Sequence, residues 1–345
     1  MSQLASPLRF LGVLLTAALL LASPARAQDA ARTLNETVAL DADGEVVIDN
    51  HEGSITIDTW DRAEVRYEVR IMPTDDDPTA EKTSIDIERS GSRLSLATTH
   101  EDGDDESKVL GFSFDDGFRW GGTDIPDVHY TLTMPATARL TIDDHESVID
   151  VTGLRAALRI DTHDGPIRIA DHDGDTRIDS HDGDIELSAS RGPLVIDTHD
   201  SFIALTDHDG DVTIESHESE MDLRGIAGYL VVDTHDGELT AEDLRGGFRF
   251  EAHDGEADVS IAELSDDIHV DTHDADITLR LAPGAAFALR TDFDDDVDLD
   301  SDFDLSSIRI ADEDDDEVNY RGDVNGGGPR IYLAADDGDF DLRIR

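Results

Sequence analysis

Apolar and polar residues alternate over short stretches through the middle of the chain, and turn-forming residues separate the stretches. Within residues 158–169, the triplets Leu-Arg-Ile and Ile-Arg-Ile are joined by Asp-Thr-His-Asp-Gly-Pro. Alternation with a period of two is typical of a β-strand with one buried face, and Asp- and Gly-rich segments are typical of turns. The pattern therefore predicts short strands joined by tight corners and no helix.

This stretch is repeated along the chain with a period of 18 residues. Histidines mark the period, and the last interval is longer by two residues: His145, His163, His181, His199, His217, His235, His253 and His273. Aligning the units on these histidines places apolar residues in common columns, such as Ile160, Ile178, Ile196, Ile214 and Val232, or Ile167, Ile185, Ile203, Met221 and Leu239. A fixed period of this length predicts a stacked-repeat architecture.

A single repeat unit is too small to be stable alone. Burial of an apolar side chain contributes about 2 kcal/mol, whereas fixing the backbone costs roughly 1–2 kcal/mol for every residue of the unit. Neighbouring units must therefore supply backbone hydrogen bonds and a continuous core. We predict an all-β chain that folds as a right-handed parallel β-solenoid (a β-helix) with coils of about 18 residues.

The remainder of the chain divides into three predicted parts. Residues 1–27 resemble a signal peptide, because a short apolar run at residues 11–22 precedes the small-x-small sequence Ala-Arg-Ala that ends at Ala27. Residues 28–139 are predicted to hold divergent coils, a hairpin and an acidic aromatic loop at residues 100–127, which either caps the stack or forms a contact patch. Residues 140–345 are predicted to form the regular solenoid and its closing coils.

The charge of the chain limits the classes of molecule that it is expected to bind. The sequence has 345 residues, 82 acidic and 27 basic side chains, a formal net charge of −55 and no cysteine. Such a surface repels nucleic acid and anionic lipid, so we expect neither as a partner. The acidity is compatible with cation binding or with a halophilic adaptation, and the missing cysteines mean that the exported chain must be stable without disulfides.

Several motifs occur in an order that resembles the bacterial β-strand-repeat family of unknown function labelled "putative adhesin". They are an opening Gly-Ser-Ile-Thr-Ile and Trp-Asp-Arg element within residues 51–62, a Met-Pro-Ala entry at residues 134–138, the Thr-His-Asp-Gly corners and a closing segment at residues 325–342. The likeness covers nearly all of the chain after residue 27. It implies an exported parallel β-solenoid and brings no catalytic residues. The His-Asp corner departs from the family, in which serine or asparagine is commoner.

The corner histidines carry the candidate chemistry, because acidic residues lie two positions before and directly after each one. Positions i and i+2 of a strand share a face, and neighbouring units about 4.8 Å apart would bring imidazoles and carboxylates within reach of one cation. Imidazole suits Zn²⁺, Ni²⁺ and Cu²⁺. The predicted metal ligands are His163, His181, His199, His217, His235, His253, Asp161, Asp179 and Asp197.

Other interpretations of these residues remain open. His-Asp-Gly is also ordinary corner chemistry, with histidine as a solvent-facing residue, and a surface whose charge changes with pH is a further alternative. Calcium is a separate candidate, since Asp-x-Asp-Gly-Asp at residues 171–175 and 207–211 supplies hard oxygen ligands. The glycine-rich turn of calcium-binding β-rolls is absent from the sequence.

The sequence favours a binding protein over an enzyme. Catalytic centres are single constellations in a cleft, whereas histidine and aspartate here recur in every unit. We expect a non-enzymatic, monomeric protein without a membrane span, exported to the periplasm or the extracellular space, with an adhesin-like binding or scaffold role toward an unknown envelope or cell-surface ligand. The alternatives are a Zn- or Ca-binding solenoid surface and a polysaccharide-active β-helix enzyme.

Overall fold

A computed structural model describes residues 31–74, 80–100, 125–311 and 318–345. Every element assigned in these ranges is a β-strand, which confirms the all-β class. The predicted signal peptide at residues 1–27 and the aromatic residues of the acidic loop, Phe112, Phe114, Phe118 and Trp120, lie outside the described residues.

The strands follow one another along the chain with short connections. They are β1 (Arg32–Ala39), β2 (Glu45–Asp49), β3 (Glu52–Trp60), β4 (Glu64–Ile71), β5 (Thr83–Arg89), β6 (Arg93–His100), β7 (Val128–Pro135), β8 (Arg139–Asp143), β9 (Glu146–Thr152), β10 (Leu158–Thr162), β11 (Ile167–Ala170), β12 (Thr176–Asp182), β13 (Ile185–Arg191), β14 (Leu194–Asp209), β15 (Val212–Ser216), β16 (Glu218–Ala227), β17 (Leu230–Leu281), β18 (Phe287–Ser301), β19 (Arg309–Ala311), β20 (Val318–Val324) and β21 (Arg330–Ile344).

The repeat units pair in parallel, and the register equals the sequence period. Ile160 pairs with Ile178, Ile178 with Ile196, Ile196 with Ile214 and Ile214 with Val232. A second stack carries the column that begins at Ile167, which pairs in the same way through Ile185, Ile203, Met221 and Leu239. The predicted columns of apolar residues are therefore present.

Burial alternates along each strand as the sequence predicts. Leu158 and Ile160 are buried while Arg159 is exposed, and Ile167 and Ile169 are buried in the second stack. The buried side chains of both stacks belong to one hydrophobic cluster that extends from Leu40 to Leu342. Because each buried side chain lies against its counterparts in the adjoining units, the core is continuous along the stack.

The first repeat unit is separated from the others in sequence but not in space. Strands β2 and β3 pair in parallel with β8 and β9, so that Ile48 lies beside Ile142 and Ile55 beside Ile149. On their other side, β2 pairs with β6 and β3 with β7. Strand β6 also forms an antiparallel hairpin with β5, and β4 pairs antiparallel with β1 and β7.

The carboxyl-terminal strand does not lie at the end of the stack. Strand β21 pairs in parallel with β17 on one side and with β18 on the other, so that Phe340 lies between Ile277 and Leu299. Strand β20 then pairs antiparallel with both β18 and β19. The sequence predicts that residues 325–342 close the stack. In the structure this segment lies between two units that precede it in the chain.

Candidate functional site

At the corner of each repeat unit, a histidine whose side chain reaches solvent follows the buried end of a strand. The small residues before the histidine point inward and are only 5–6% exposed: Thr162, Ser180, Thr198, Thr234 and Thr272. Glycine follows in several corners because the backbone needs it. At Gly183 the angle φ is +147°, and a Cβ atom would lie 2.5 Å from the carbonyl oxygen of Gly165 in the preceding unit.

The corner imidazoles stack into one continuous row, which we call the histidine file. It consists of His51, His145, His163, His181, His199, His217, His235, His253 and His273. Successive ring centroids lie 4.7–5.0 Å apart. The planes are within 6° of parallel except at the last step, where the angle is 20°. The file follows from the register, because each histidine occupies the same corner position in its unit.

Carboxylates accompany the file along its whole length. The Nδ1 atoms of His163 and His181 lie 3.1 Å from the following Asp164 and Asp182, and that of His253 lies 3.0 Å from Asp254. Where glutamate follows instead, the separation grows, to 3.8 Å between His217 and Glu218. The imidazole side chains are about half exposed, so solvent and small cations reach both kinds of group.

Three groups of ligand atoms in the file are close enough to share one ion. They are His163–Asp164–His181, Asp182–His199–Asp200 and Asp236–His253–Asp254, in each of which the ligand atoms lie within 4.8 Å of one another. His217 and His235 stack in the file but belong to none of the groups found in the described residues. The chemistry of these groups, imidazole nitrogen with carboxylate oxygen, fits Zn²⁺ and other divalent transition metals.

The carboxylates two positions before the histidines form a column of their own. Asp161 pairs in register with Asp143 and Asp179 and forms an ion pair with Arg159 at 3.3 Å. Asp197 continues this column. None of the metal-compatible groups in the described residues contains Asp161, Asp179 or Asp197. The structure therefore brings the predicted histidines together with the carboxylates that follow them.

His51 was absent from the predicted ligands but begins the file. Its ring lies 4.7 Å from that of His145. Burial lowers the pKa of His51, and the neighbouring His145 adds to this effect. The signal was present in the Asn-His-Glu-Gly corner at residues 50–53, but that corner lies outside the regular period.

The two candidate calcium segments form the opposite corner, and two carboxylates of the second segment already have partners. Asp209 pairs with Arg191 at 3.1 Å, and Asp211 accepts a hydrogen bond from the backbone N–H of Tyr229 at 2.8 Å. The central histidines of both segments point into the core, where His172 is 2% and His208 is 3% exposed. Calcium binding at these segments stays a prediction.

The buried histidines differ in their partners. His208 Nδ1 lies 2.8 Å from Ser190 Oγ, and its Nε2 has no partner in the described residues; both ring nitrogens of His172 lack a well-formed hydrogen bond there, with the backbone carbonyls of Leu154 and Gly174 nearby. Burial lowers the pKa of both imidazoles. Protonation of both imidazoles is therefore less favourable in the fold than in the unfolded chain. Leu154 and Ile226 occupy the same column, so an aliphatic side chain fits this corner.

We expect His172→Leu to raise the free energy of unfolding at pH 7.5 by about 1–3 kcal/mol, because it removes unpaired buried polar atoms. The gain should increase as the pH falls below about 6.5, where the unfolded wild-type chain takes up a proton more readily than the folded chain does. Urea denaturation at pH 7.5 and 5.5 measures both effects. His208→Leu is the matched control and should gain less, since it leaves Ser190 Oγ without its partner. An equal or larger gain from His208→Leu would contradict this explanation.

A buried carboxylate joins the first unit to the following ones. Asp144 accepts hydrogen bonds from Ser147 N–H and Ser147 Oγ, both at 2.6 Å, and from Thr162 Oγ at 3.3 Å. Asn50 Nδ2 donates to Ser147 Oγ at 3.0 Å, and Thr98 Oγ donates to Asn50 Oδ1 at 2.8 Å. Burial raises the pKa of Asp144 to about 6. The network spans four adjoining units at the inner side of the corner.

Comparisons with known proteins identify no family. No family model matches the chain, and no curated protein matches it. A solved "putative cell adhesion protein" from Clostridium sporogenes ATCC 15579 is 7% identical, with 91% of this chain and 100% of that chain covered and a TM-score of 0.21. A solved "putative adhesin" from Bacteroides fragilis NCTC 9343 is 11% identical, with 91% and 97% covered and a TM-score of 0.23.

Both descriptions agree with the resemblance that the sequence motifs indicate. At these identities and TM-scores, the likeness supports no argument about function. Among the described residues, no helix has the length and apolar character needed to cross a membrane.

Proposed function

We propose that the chain is an exported, non-enzymatic binding protein of the cell envelope, periplasmic or extracellular, built as a right-handed parallel β-solenoid. The in-register parallel pairing of successive units supports the solenoid. The histidine file supports the binding role, because it presents the same pair of groups repeatedly along one edge. The role is an adhesin-like or scaffolding one, and a monomer suffices for it.

We propose further that divalent transition metal ions bind along the histidine file. The observation that supports this function is the convergence of imidazole and carboxylate ligand atoms within 4.8 Å in three separate groups. The formal charge of −55 raises the local concentration of any cation. An enzyme acting on polysaccharides remains a weaker alternative, because the file repeats its groups and does not concentrate them in one cleft.

Titration with Zn²⁺ tests this function. We expect saturable binding to the wild-type chain, measured by isothermal titration calorimetry with equilibrium dialysis and metal analysis. The buffer should contain 0.5 M NaCl and millimolar Mg²⁺, which screen diffuse attraction and occupy oxygen-only sites. The triple variant His181→Asn, His199→Asn and His253→Asn removes one ligand from every group in the file, so it should lose about three bound ions per chain, one for each group.

The matched control is the double variant His217→Asn and His235→Asn. It removes two imidazoles from the same file but touches none of the three groups. It should therefore bind Zn²⁺ as the wild type does. Unchanged binding by the triple variant would refute metal binding at the file, and equal losses in both variants would refute the three-group arrangement.

A further inference from the structure

A single histidine interrupts a column of residues on the outer face of the first stack. Arg159, Arg177, Val195, Thr213 and Val231 occupy this column in register. Arg249 holds the corresponding position in the next repeat, and His269 follows it and pairs with Tyr332. His269 is the one histidine of this column among the described residues. It lies away from the corner and is not part of the histidine file.

The substitution of histidine for arginine changes the charge balance at this position. In two other units an arginine neutralises the acidic residue two positions later: Arg159 pairs with Asp161 at 3.3 Å, and Arg249 contacts Glu251. The equivalent acid beside His269 is Asp271, and no ion pair involves Asp271 within the described residues. A carboxylate next to an imidazole with no permanent cation is a better ligand than one held by arginine.

The backbone brings three ligands to one point. His269 and Asp271 are two residues apart on β17 and therefore project from the same face. Glu251, from the preceding repeat of the same long strand, completes the group, and the ligand atoms of all three residues lie within 4.8 Å of one another. The sequence predicts that the two residues of an Asp-x-His pair at the corner share a face. Here His269 and Asp271 do so on the outer face of the first stack.

The imidazole of His269 is held in place by its surroundings. Its ring stacks on that of Tyr332, with centroids 4.9 Å apart and planes 21° from parallel. Arg290 lies on the Tyr332 ring at 5.7 Å, and the Tyr332 hydroxyl donates to Asp292 Oδ2 at 3.3 Å. This packing limits the orientations of the imidazole, so less conformational freedom is lost when its nitrogen binds an ion.

We propose that Glu251, His269 and Asp271 form a single divalent-metal site, separate from the histidine file, that takes Zn²⁺ or an ion of similar chemistry. Zinc takes imidazole nitrogen and carboxylate oxygen as ligands, and a site with three protein ligands leaves a fourth position for water or an external ligand. Glu251 can keep Arg249 on one carboxylate oxygen and bind the ion through the other, so that Arg249 orients the ligand. The site would thus present an ion with an open position on a flat surface.

A variant that lacks the three metal-compatible groups of the histidine file allows binding at this site to be measured alone. In the background His181→Asn, His199→Asn and His253→Asn, we expect one Zn²⁺ per chain to remain in equilibrium dialysis with 0.5 M NaCl and Mg²⁺ present. Adding His269→Asn or Asp271→Asn should weaken this binding at least tenfold. The His269 ring signals should shift on addition of one equivalent of Zn²⁺ in NMR spectra.

The matched control is Asp233→Asn in the same background. Asp233 pairs with Glu215 in register and carries the same charge in the same column, but valine (Val231) stands two positions before it, where His269 precedes Asp271. This variant should keep the remaining ion. Absence of residual binding in the triple variant, or equal loss with Asp233→Asn, would refute the Glu251–His269–Asp271 site. Neither result would bear on metal binding at the file, which the triple variant tests against the wild type.

Discussion

Replacing Gly228 by alanine is expected to lower the free energy of unfolding by about 3 kcal/mol, a cost typical of overpacking at a site that cannot relax. A Cβ atom at Gly228 would overlap the carbonyl oxygen of Gly210 in the preceding unit. The backbone cannot move away easily, because it is held by two hydrogen bonds. Gly228 N–H donates to the carbonyl oxygen of Arg245 at 3.0 Å, and Gly210 N–H donates to the carbonyl oxygen of Ala227 at 2.9 Å. The added methyl group would therefore force two hydrogen-bonded units apart.

Gly91→Ala is the matched control, since it makes the same chemical change in open surroundings. A Cβ atom at Gly91 would meet only Asp41 Oδ2, at 3.8 Å, which is an ordinary contact. We expect a change within about 0.5 kcal/mol of zero, as for surface substitutions in general. Urea denaturation monitored by circular dichroism compares the two variants. Equal stabilities would show that the units are not packed as closely at this corner as the structure indicates.

The local pattern predicts the register but not the order of all the units. Ile178, Ile196 and Ile214 are spaced by the period, and each pairs with the next. Nothing in that pattern distinguishes one unit from another as a neighbour, so the pairing of Ile48 with Ile142 was not predicted. The insertion of β21 between β17 and β18 was missed for the same reason. These choices depend on tertiary packing between distant segments.

The candidate site could be predicted in part: most of the histidines of the predicted ligand set recur in the groups that the structure brings together, and the aspartates that precede them do not. The rule that positions i and i+2 share a face holds while the chain is extended. At the corner, Asp161 forms an ion pair with Arg159, and His163 lies beside Asp164. On β17, His269 and Asp271 have the same spacing and converge with Glu251.

The presence of a histidine in a polar motif does not by itself show whether its side chain lies at the surface or in the core. The motif Asp-His-Asp-Gly at residues 171–174 looks as polar as any file corner, yet His172 is 2% exposed. The residues at the position of His172 in other units indicate that it is buried, because Leu154, Ile226 and Leu244 occupy that position and are buried. A polar residue in an apolar column is thus better assigned by its column than by its neighbours in sequence.

Asp144→Asn is expected to stabilise the protein at pH 7.5 by about 2 kcal/mol and to have no stabilising effect at pH 4. The pKa of Asp144 in the fold is about 6, above the ordinary aspartate value of 3.8, because the carboxyl is buried. The folded chain therefore binds the proton more tightly than the unfolded chain does, so the stabilising contribution of this group is present at low pH and is lost as the pH rises from about 4 to about 6. Two pKa units correspond to about 3 kcal/mol, and the weaker hydrogen bonds of a neutral amide offset about 1 kcal/mol of the gain.

Denaturant unfolding at intervals between pH 4 and pH 8 measures this effect. The curve of Asp144→Asn minus wild type should rise through the pH range in which the wild-type carboxyl ionises and then level off. Asp58→Asn is the control, because it removes one acidic charge at an exposed position of β3 and leaves the network of Asn50 and Ser147 untouched. A flat difference for Asp144→Asn, or the same rise for Asp58→Asn, would mean that overall charge and not the buried carboxyl sets the pH dependence. A rise specific to Asp144 would identify the junction between the first unit and the repeats as the place where ionisation weakens the stack.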